Sequence, residues 1–148
     1  MIIEATLPAE NTVFGCIVGL VIGQEFRGIK LVNSANQVVA IAGFDHWHPN
    51  SAAIHIWIRN PGDLRRKFIR EVFNYVFVTC NKGVVLGATP CNNVAALELN
   101  RRIGFRVVAR IKDGWELGTD LAIQELRKED CRWIKPEVPN ECRHSRAA

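Results

Sequence analysis

The segment that most constrains the fold runs from 51 to 89. An apolar strand, "SAAIHIWI", meets a break at Asn60-Pro61-Gly62-Asp63, then an amphipathic helix, then a second apolar run, "VVLGAT". In "DLRRKFIREVFNYVFVTC" the residues Leu64, Phe68, Ile69, Val72, Phe73, Val76 and Phe77 recur at three- and four-residue spacing. That period predicts a helix that turns Arg66, Lys67, Arg70 and Asn74 to solvent, and Lys82-Gly83 stops it. Strand, helix and strand joined in this way form a crossover, so the two strands should lie parallel with a right-handed connection. The remaining chain must complete the sheet.

"MIIEATL" reads as a first strand, and Pro8 opens a helix of mostly buried character through "AENTVFGCIVGLVIGQEF". "RGIKLVNSANQVVAIAGFDHW" holds two β-branched runs separated by Asn33-Ser34-Ala35-Asn36, a hairpin signature. "VVLGAT" is expected to be a buried strand. Pro90-Cys91-Asn92-Asn93 leads into a second amphipathic helix, "VAALELNRRI", closed by Gly104. "FRVVARI", a turn at Lys112-Asp113-Gly114, and "WELGTDLAIQEL" finish as an antiparallel pair. The result is a mixed α/β sheet forming one domain over residues 1–135. The tail 136–148 has little to bury and is expected to be mobile.

Composition excludes several classes. With 48% hydrophobic and 23% charged residues in 148, the chain is expected to be a globular domain with one core. The longest apolar run, "VFGCIVGLVIG", is far short of the ~20 residues that span a bilayer, and the acidic segment before it is unlike a signal peptide. Five scattered cysteines (Cys16, Cys80, Cys91, Cys131, Cys142) form no C-x-x-C pair, which argues against a disulfide framework or structural zinc. A reducing cytoplasm is the expected compartment. Residues 1–58 carry 2 basic and 4 acidic side chains against 17 and 11 in the rest, so an anionic ligand would meet the second half.

One local placement is unfavourable. Arg65, Arg66 and Lys67 fall where the long helix begins, and a cation in a first helical turn costs on the order of 0.3–1 kcal/mol at low salt. Either solvent screens them or an anion sits there, as phosphates commonly do where a strand ends at the start of a crossover helix.

"NNVAALELNRRIGF" fits N-x-x-A-x-x-L-x-x-[KR]-x-G-F through Asn93, Ala96, Leu99, Arg102, Gly104 and Phe105. It resembles the closing motif of the GNAT superfamily of acetyl-coenzyme A N-acyltransferases. The order around it is also similar: a strand, an anion-binding turn, a long helix ending in aromatics (Tyr75 and Phe77), a strand, this motif and a final hairpin. The resemblance covers roughly residues 37 to 135. The ending "GTDLAIQELRKEDCRWI" looks like that of members encoded by tailed phages and prophages.

The resemblance implies a mixed, mostly antiparallel twisted sheet with a central parallel strand pair and flanking helices. It implies acetyl transfer from acetyl-coenzyme A to a primary amine, small or peptidic; no metal is expected, because the histidines of "DHWH" and His55 have no partner ligand at the right spacing. Residues Ile56, Trp57 and Ile58 would pair their backbone with the pantetheine arm. The turn formed by Asn60, Gly62, Asp63, Leu64, Arg65 and Arg66 would take the pyrophosphate, with Asn93 at the second helix also on the cofactor side.

Two departures stand out. Asn60, Asp63 and Arg65 occupy the defined positions of the family's [QR]-x-x-G-x-[GA] turn, so Asp63 either weakens the cradle or caps the helix. Asn100 stands where many members carry the tyrosine that protonates the leaving thiolate, and an amide has no acidic proton to give.

A base must also take a proton from the ammonium. Strand alternation puts His55 on one face with Trp57, away from Ile54, Ile56 and Ile58, and histidine suits proton transfer near neutral pH. Asp45, His46 and His48 are second choices. A histidine merely satisfied within the sheet is the alternative reading of His55. For the whole chain the alternative is a catalytically silent protein of the same fold that binds acyl-coenzyme A or a host macromolecule. Nucleic-acid binding is disfavoured, because the four tryptophans lack a repeated basic-aromatic pattern. Pairing as a homodimer is compatible with the fold.

Overall fold

A computed structural model describes residues 1–135, and the tail expected to be mobile lies outside the described residues. The elements are β1 (Ile2–Ala5), α1 (Pro8–Val18), β2 (Arg27–Val32), β3 (Val38–Asp45), β4 (Ser51–Ile58), α2 (Arg66–Asn74), β5 (Val84–Pro90), α3 (Val94–Ile103), β6 (Arg106–Glu116) and β7 (Thr119–Arg127). They form a seven-stranded sheet in the order β1-β2-β3-β4-β5-β7-β6. Among the described residues only β4 and β5 run parallel, as the crossover requires. Among the described residues no helix is long and apolar enough to cross a membrane.

The larger core lies where α2 lays its apolar stripe on the sheet. Phe68, Ile69, Val72 and Phe73 are buried against Ala42, Phe44 and Ile54. Val76 and Phe77 extend the stripe in a closing π-helical turn, Tyr75–Thr79. Phe73 stacks on Phe77 at 5.9 Å between ring centroids and meets Phe105 at 6.1 Å. A smaller cluster of Phe14, Phe26 and Ile41 packs with Trp57. Ile41 stands opposite Trp57 in the β3–β4 register, whereas Ile54 and Ile56 join the larger core, so the alternation read in β4 is the one observed.

Several boundaries differ from the sequence expectation. The first helix ends at Val18, where Gly19 adopts φ 73°, instead of continuing toward residue 26. It is also far from mostly buried: Phe14 and Gly15 are buried, while Val13 and Ile17 are exposed. A continuous apolar run has no polar face to mark its solvent side, so its sequence overstates burial. The long helix starts at Arg66, preceded by a separate 3₁₀ turn at Pro61–Asp63. β5 is only partly buried, with Ala88 exposed beside a cleft.

The last hairpin turns at Leu117-Gly118, with Gly118 at φ 88°. Lys112-Asp113-Gly114 instead lies within β6, where the register shifts between Ile111 and Glu116 and Asp113 takes φ 53°. An Asp-Gly step suits a tight turn and an irregular strand alike, because both need a left-handed residue.

Candidate active site

The site begins with a strand pair that comes apart. β4 and β5 pair only through Ser51, Ala52 and Ala53 against Val84, Val85 and Leu86. Beyond that point β4 continues to pair with β3 up to Ile58, while β5 pairs with β7 up to Pro90. The edge of residues 54–58 that faces β5 is therefore open. A cavity of about 460 Å³ fills the gap, lined by Ile54–Trp57 and Gly87–Pro90 together with parts of α1, α3 and β6.

His55 lines this cavity, and its Nε2 lies 2.8 Å from Asp45 Oδ1. The carboxylate of Asp45 is almost fully buried, and the same oxygen is 2.9 Å from Nδ1 of the exposed His46. Hydrogen bonding to Asp45 raises the His46 pKa above the ordinary histidine value. In neutral His55 the Nε2–H donated to Asp45 leaves Nδ1 as the basic atom. His48 is exposed and does not line the cavity.

Gly43 stands opposite His55 on β3 and makes room for an aromatic ring from the other core cluster. A Cβ there would fall into the ring of Phe26. Close approach of an aromatic ring, rather than an unusual backbone angle, is what requires glycine here.

Asn100, one turn before the end of α3, donates from Nδ2 to Thr89 Oγ1 at 3.2 Å and to Gln124 Oε1 at 2.9 Å. Thr89 in turn donates to the same Gln124 oxygen at 2.9 Å. Thr89 and Gln124 are 6% and 2% exposed, so this triad is a buried polar network at the cavity's edge. Its amide protons being committed, Asn100 orients β5, α3 and β7 around the cleft rather than pointing a donor into it. Sequence reasoning missed Thr89 and Gln124, which sit 35 residues apart on strands whose pairing only the fold discloses.

Asn93 caps α3, its side-chain oxygen accepting from the Ala96 N–H at 3.1 Å, and also borders the cleft. Ile56 and Trp57 line the cavity. Ile58 is packed against the larger core and is not among the lining residues.

The turn before α2 resolves the question of Asp63. Its carboxylate is 3.4 Å from both Arg59 Nε and Asn60 Nδ2, so Asp63 caps no helix, and Arg65 occupies the N-cap without a side-chain bond. The N–H groups of Asp63 and Leu64 close the turn on Asn60 O and Pro61 O. Gly62 is exposed, with open space where a side chain would begin, and Leu64 is packed against the larger core. What faces outward is charge: Arg65, Arg66 and Lys67 are exposed around the positive end of α2, with no acidic residue in its first turn. Arg65 Nε is 3.4 Å from Met1 Sδ, and among the described residues neither Arg66 nor Lys67 pairs with a carboxylate.

The open strand edge and the histidine–aspartate pair share one cleft, the cationic start of α2 lies outside its lining, and the fold that carries them has counterparts among solved structures. The fold is shared with spermidine N-acetyltransferases. A chimera of the Vibrio cholerae spermidine N-acetyltransferase SpeG with hSSAT superposes at a TM-score of 0.72 with 11% identity, over 86% of this chain and 96% of that one. Glutamate-to-glutamine mutant forms of the same spermidine/spermine N-acetyltransferase give 0.73 and 11%, over 86% and 95%. Its dodecameric structure in an intermediate state gives 0.69 and 12%, over 86% and 94%. No family model matches the sequence, and no curated protein matches it. At this identity the likeness is one of fold, and it is the mixed, mostly antiparallel sheet with one parallel pair that the GNAT resemblance implies.

Proposed function

We propose that the protein transfers an acetyl group from acetyl-coenzyme A to a primary amine, by direct attack within a ternary complex. The observation that carries this reading is the parting of β4 from β5, which opens a backbone edge onto the 460 Å³ cavity with His55 inside it. The fold shared with spermidine N-acetyltransferases supports an amine as acceptor.

The residues present suit the co-substrate. The free edge at Ile56, Trp57 and Ile58 offers backbone donors and acceptors to the amides of a pantetheine arm, and a strand N–H can polarise the thioester carbonyl. Arg65 and Arg66, beside the N-terminus of α2, supply charge for a pyrophosphate. The local cost of cations at a helix start is then offset by the ligand. Asn60, Gly62, Asp63 and Leu64 shape that turn, which lies outside the cavity's lining, and Asn93 orders the start of α3 at the cleft.

In the reaction the amine nitrogen bonds to the thioester carbonyl carbon as the carbon–sulfur bond breaks. The ammonium proton goes to His55 Nδ1, with Asp45 stabilising the imidazolium that forms. The second nitrogen proton, lost as the amide forms, passes through water to the departing thiolate, because Asn100 has none to give. Holding two substrates in one cleft is the largest contribution. The His55–Asp45 pair favours this reading over a catalytically silent binding protein. The resemblance of the final segment supports a phage-type member in the cytoplasm of a bacterial host, and the dodecameric neighbour supports self-association.

Calorimetric titration with acetyl-coenzyme A tests the reading. The wild-type chain should bind saturably in the micromolar range, and the Arg65→Ala, Arg66→Ala double variant should bind at least tenfold more weakly. Two charge-assisted phosphate contacts are worth about 1.5–3 kcal/mol each. Absence of binding to the wild type overturns the proposal.

A further inference from the structure

Resting on the reading of the cleft as an acyl-transfer site, we propose that the amine it accepts is a compact apolar monoamine, such as an aryl-alkylamine, rather than a polyamine. The cleft's lining is of two unlike kinds. α3 contributes Asn93, Ala96, Leu99 and Asn100 on the side given to the acyl donor. A second part of the lining comes from Ile17 and Val18 at the end of α1, Leu20 just after it, Trp57 on β4 and Trp115 on β6.

That second part is apolar and incompletely covered. Ile17 is 51% exposed and Trp115 is 53% exposed, although both border a cavity. An apolar substrate body removes this surface from water, which is favourable in proportion to the area covered. His55 is the titratable group placed in the cavity to meet the amine end.

A polyamine would bring further ammonium groups, and the lining of the cavity offers them no carboxylate. Among the described residues, none of those lining the cavity is an aspartate or a glutamate. The Asp45 carboxylate behind His55 is occupied by His55 and His46. Asp120, on the hairpin that carries Trp115, is bonded to Arg110 at 2.7 Å. A distal ammonium would therefore lose water against apolar walls with no partner. The net charge of +4 also repels a polycation on approach. The reacting ammonium escapes this penalty, because it surrenders its proton before attack.

The experiment compares kcat/KM for 2-phenylethylamine and spermidine at saturating acetyl-coenzyme A, by thiol release and by mass of the acetylated product. The aryl-alkylamine should lead by at least tenfold. Ile17→Glu, at an exposed position of α1, places a carboxylate on the acceptor wall and should lower that ratio at least tenfold. Spermidine turned over faster by the wild type would overturn this inference and leave acetyl transfer standing. An unchanged ratio in the Ile17 variant would overturn the assignment of α1 as the acceptor wall. Acetyl-coenzyme A bound with no amine acetylated would overturn the acetyl-transfer reading and this inference together.

Discussion

Helices α1 and α2 both pack on the sheet, yet they are held in different ways, and only α1 lines the cleft. α2 buries four side chains within nine residues and two more in the π turn that follows, with Phe73 in contact with two other rings. α1 has eleven residues and buries only Phe14 and Gly15, leaving Val13 and Ile17 exposed. The helix beside the turn assigned to phosphate is thus clamped by the core, whereas the helix proposed to wall the acceptor is docked mainly through one ring. A co-substrate common to many reactions can be met by rigid geometry. An acceptor wall can change residue by residue without endangering the fold.

The largest break in this comparison should come from Phe73→Ala. Deleting a buried ring costs about 3–5 kcal/mol, and denaturant unfolding should show a loss of that size. Acetyl-coenzyme A affinity should fall with it, because α2 would no longer be seated firmly.

Gly43→Ala probes the other cluster. The added methyl collides with Phe26, which packs with Phe14 of α1, so stability should fall by about 1–3 kcal/mol. A double variant, Gly43→Ala with Phe26→Leu, should recover part of that loss if the collision is its cause. Full additivity of the two losses would count against it.

Ile17→Ala should sharpen the contrast. At an exposed position of α1 it should change unfolding stability by no more than about 0.5 kcal/mol, while raising KM for the acceptor and leaving acetyl-coenzyme A affinity unaltered. A stability loss comparable with Phe73→Ala would mean that α1 is as firmly packed as α2.

The smallest effect concerns pH. Asp45 raises the His46 pKa above its ordinary value of 6.5, so protonated His46 stabilises the fold. That contribution is fully present below about pH 6.5 and is lost as pH rises through the elevated value. With its side chain 74% exposed, His46 should contribute only a shallow slope, and His46→Ala should flatten the pH dependence of the melting temperature in that window.

Much of the fold was legible in the chain. The three- and four-residue spacing between Leu64 and Phe77 fixed α2 because only one helical face could be buried. Asn93 and Gly104 marked both ends of α3, and alternation in β4 separated His55 and Trp57 from the isoleucines. These signals are local, and local sterics and burial suffice to read them. The turn at Leu117-Gly118 was obscured by an equally suitable Asp113-Gly114 step, and the end of α1 by a run too evenly apolar to show a face.

The site divided along the same line. His55 and the cations at Arg65 and Arg66 could be proposed as candidates from the sequence, with Asp45 only a second choice, because residue type and position relative to a strand or helix end carry the chemistry. Only the tertiary structure decided that β4 and β5 part after three paired positions. It alone turned Asp63 toward Arg59, and joined Asn100, Thr89 and Gln124 into one buried network. Those outcomes depend on contacts between segments far apart in the chain, whose geometry is set by the competing packing of whole elements and leaves no periodic trace in the residues themselves.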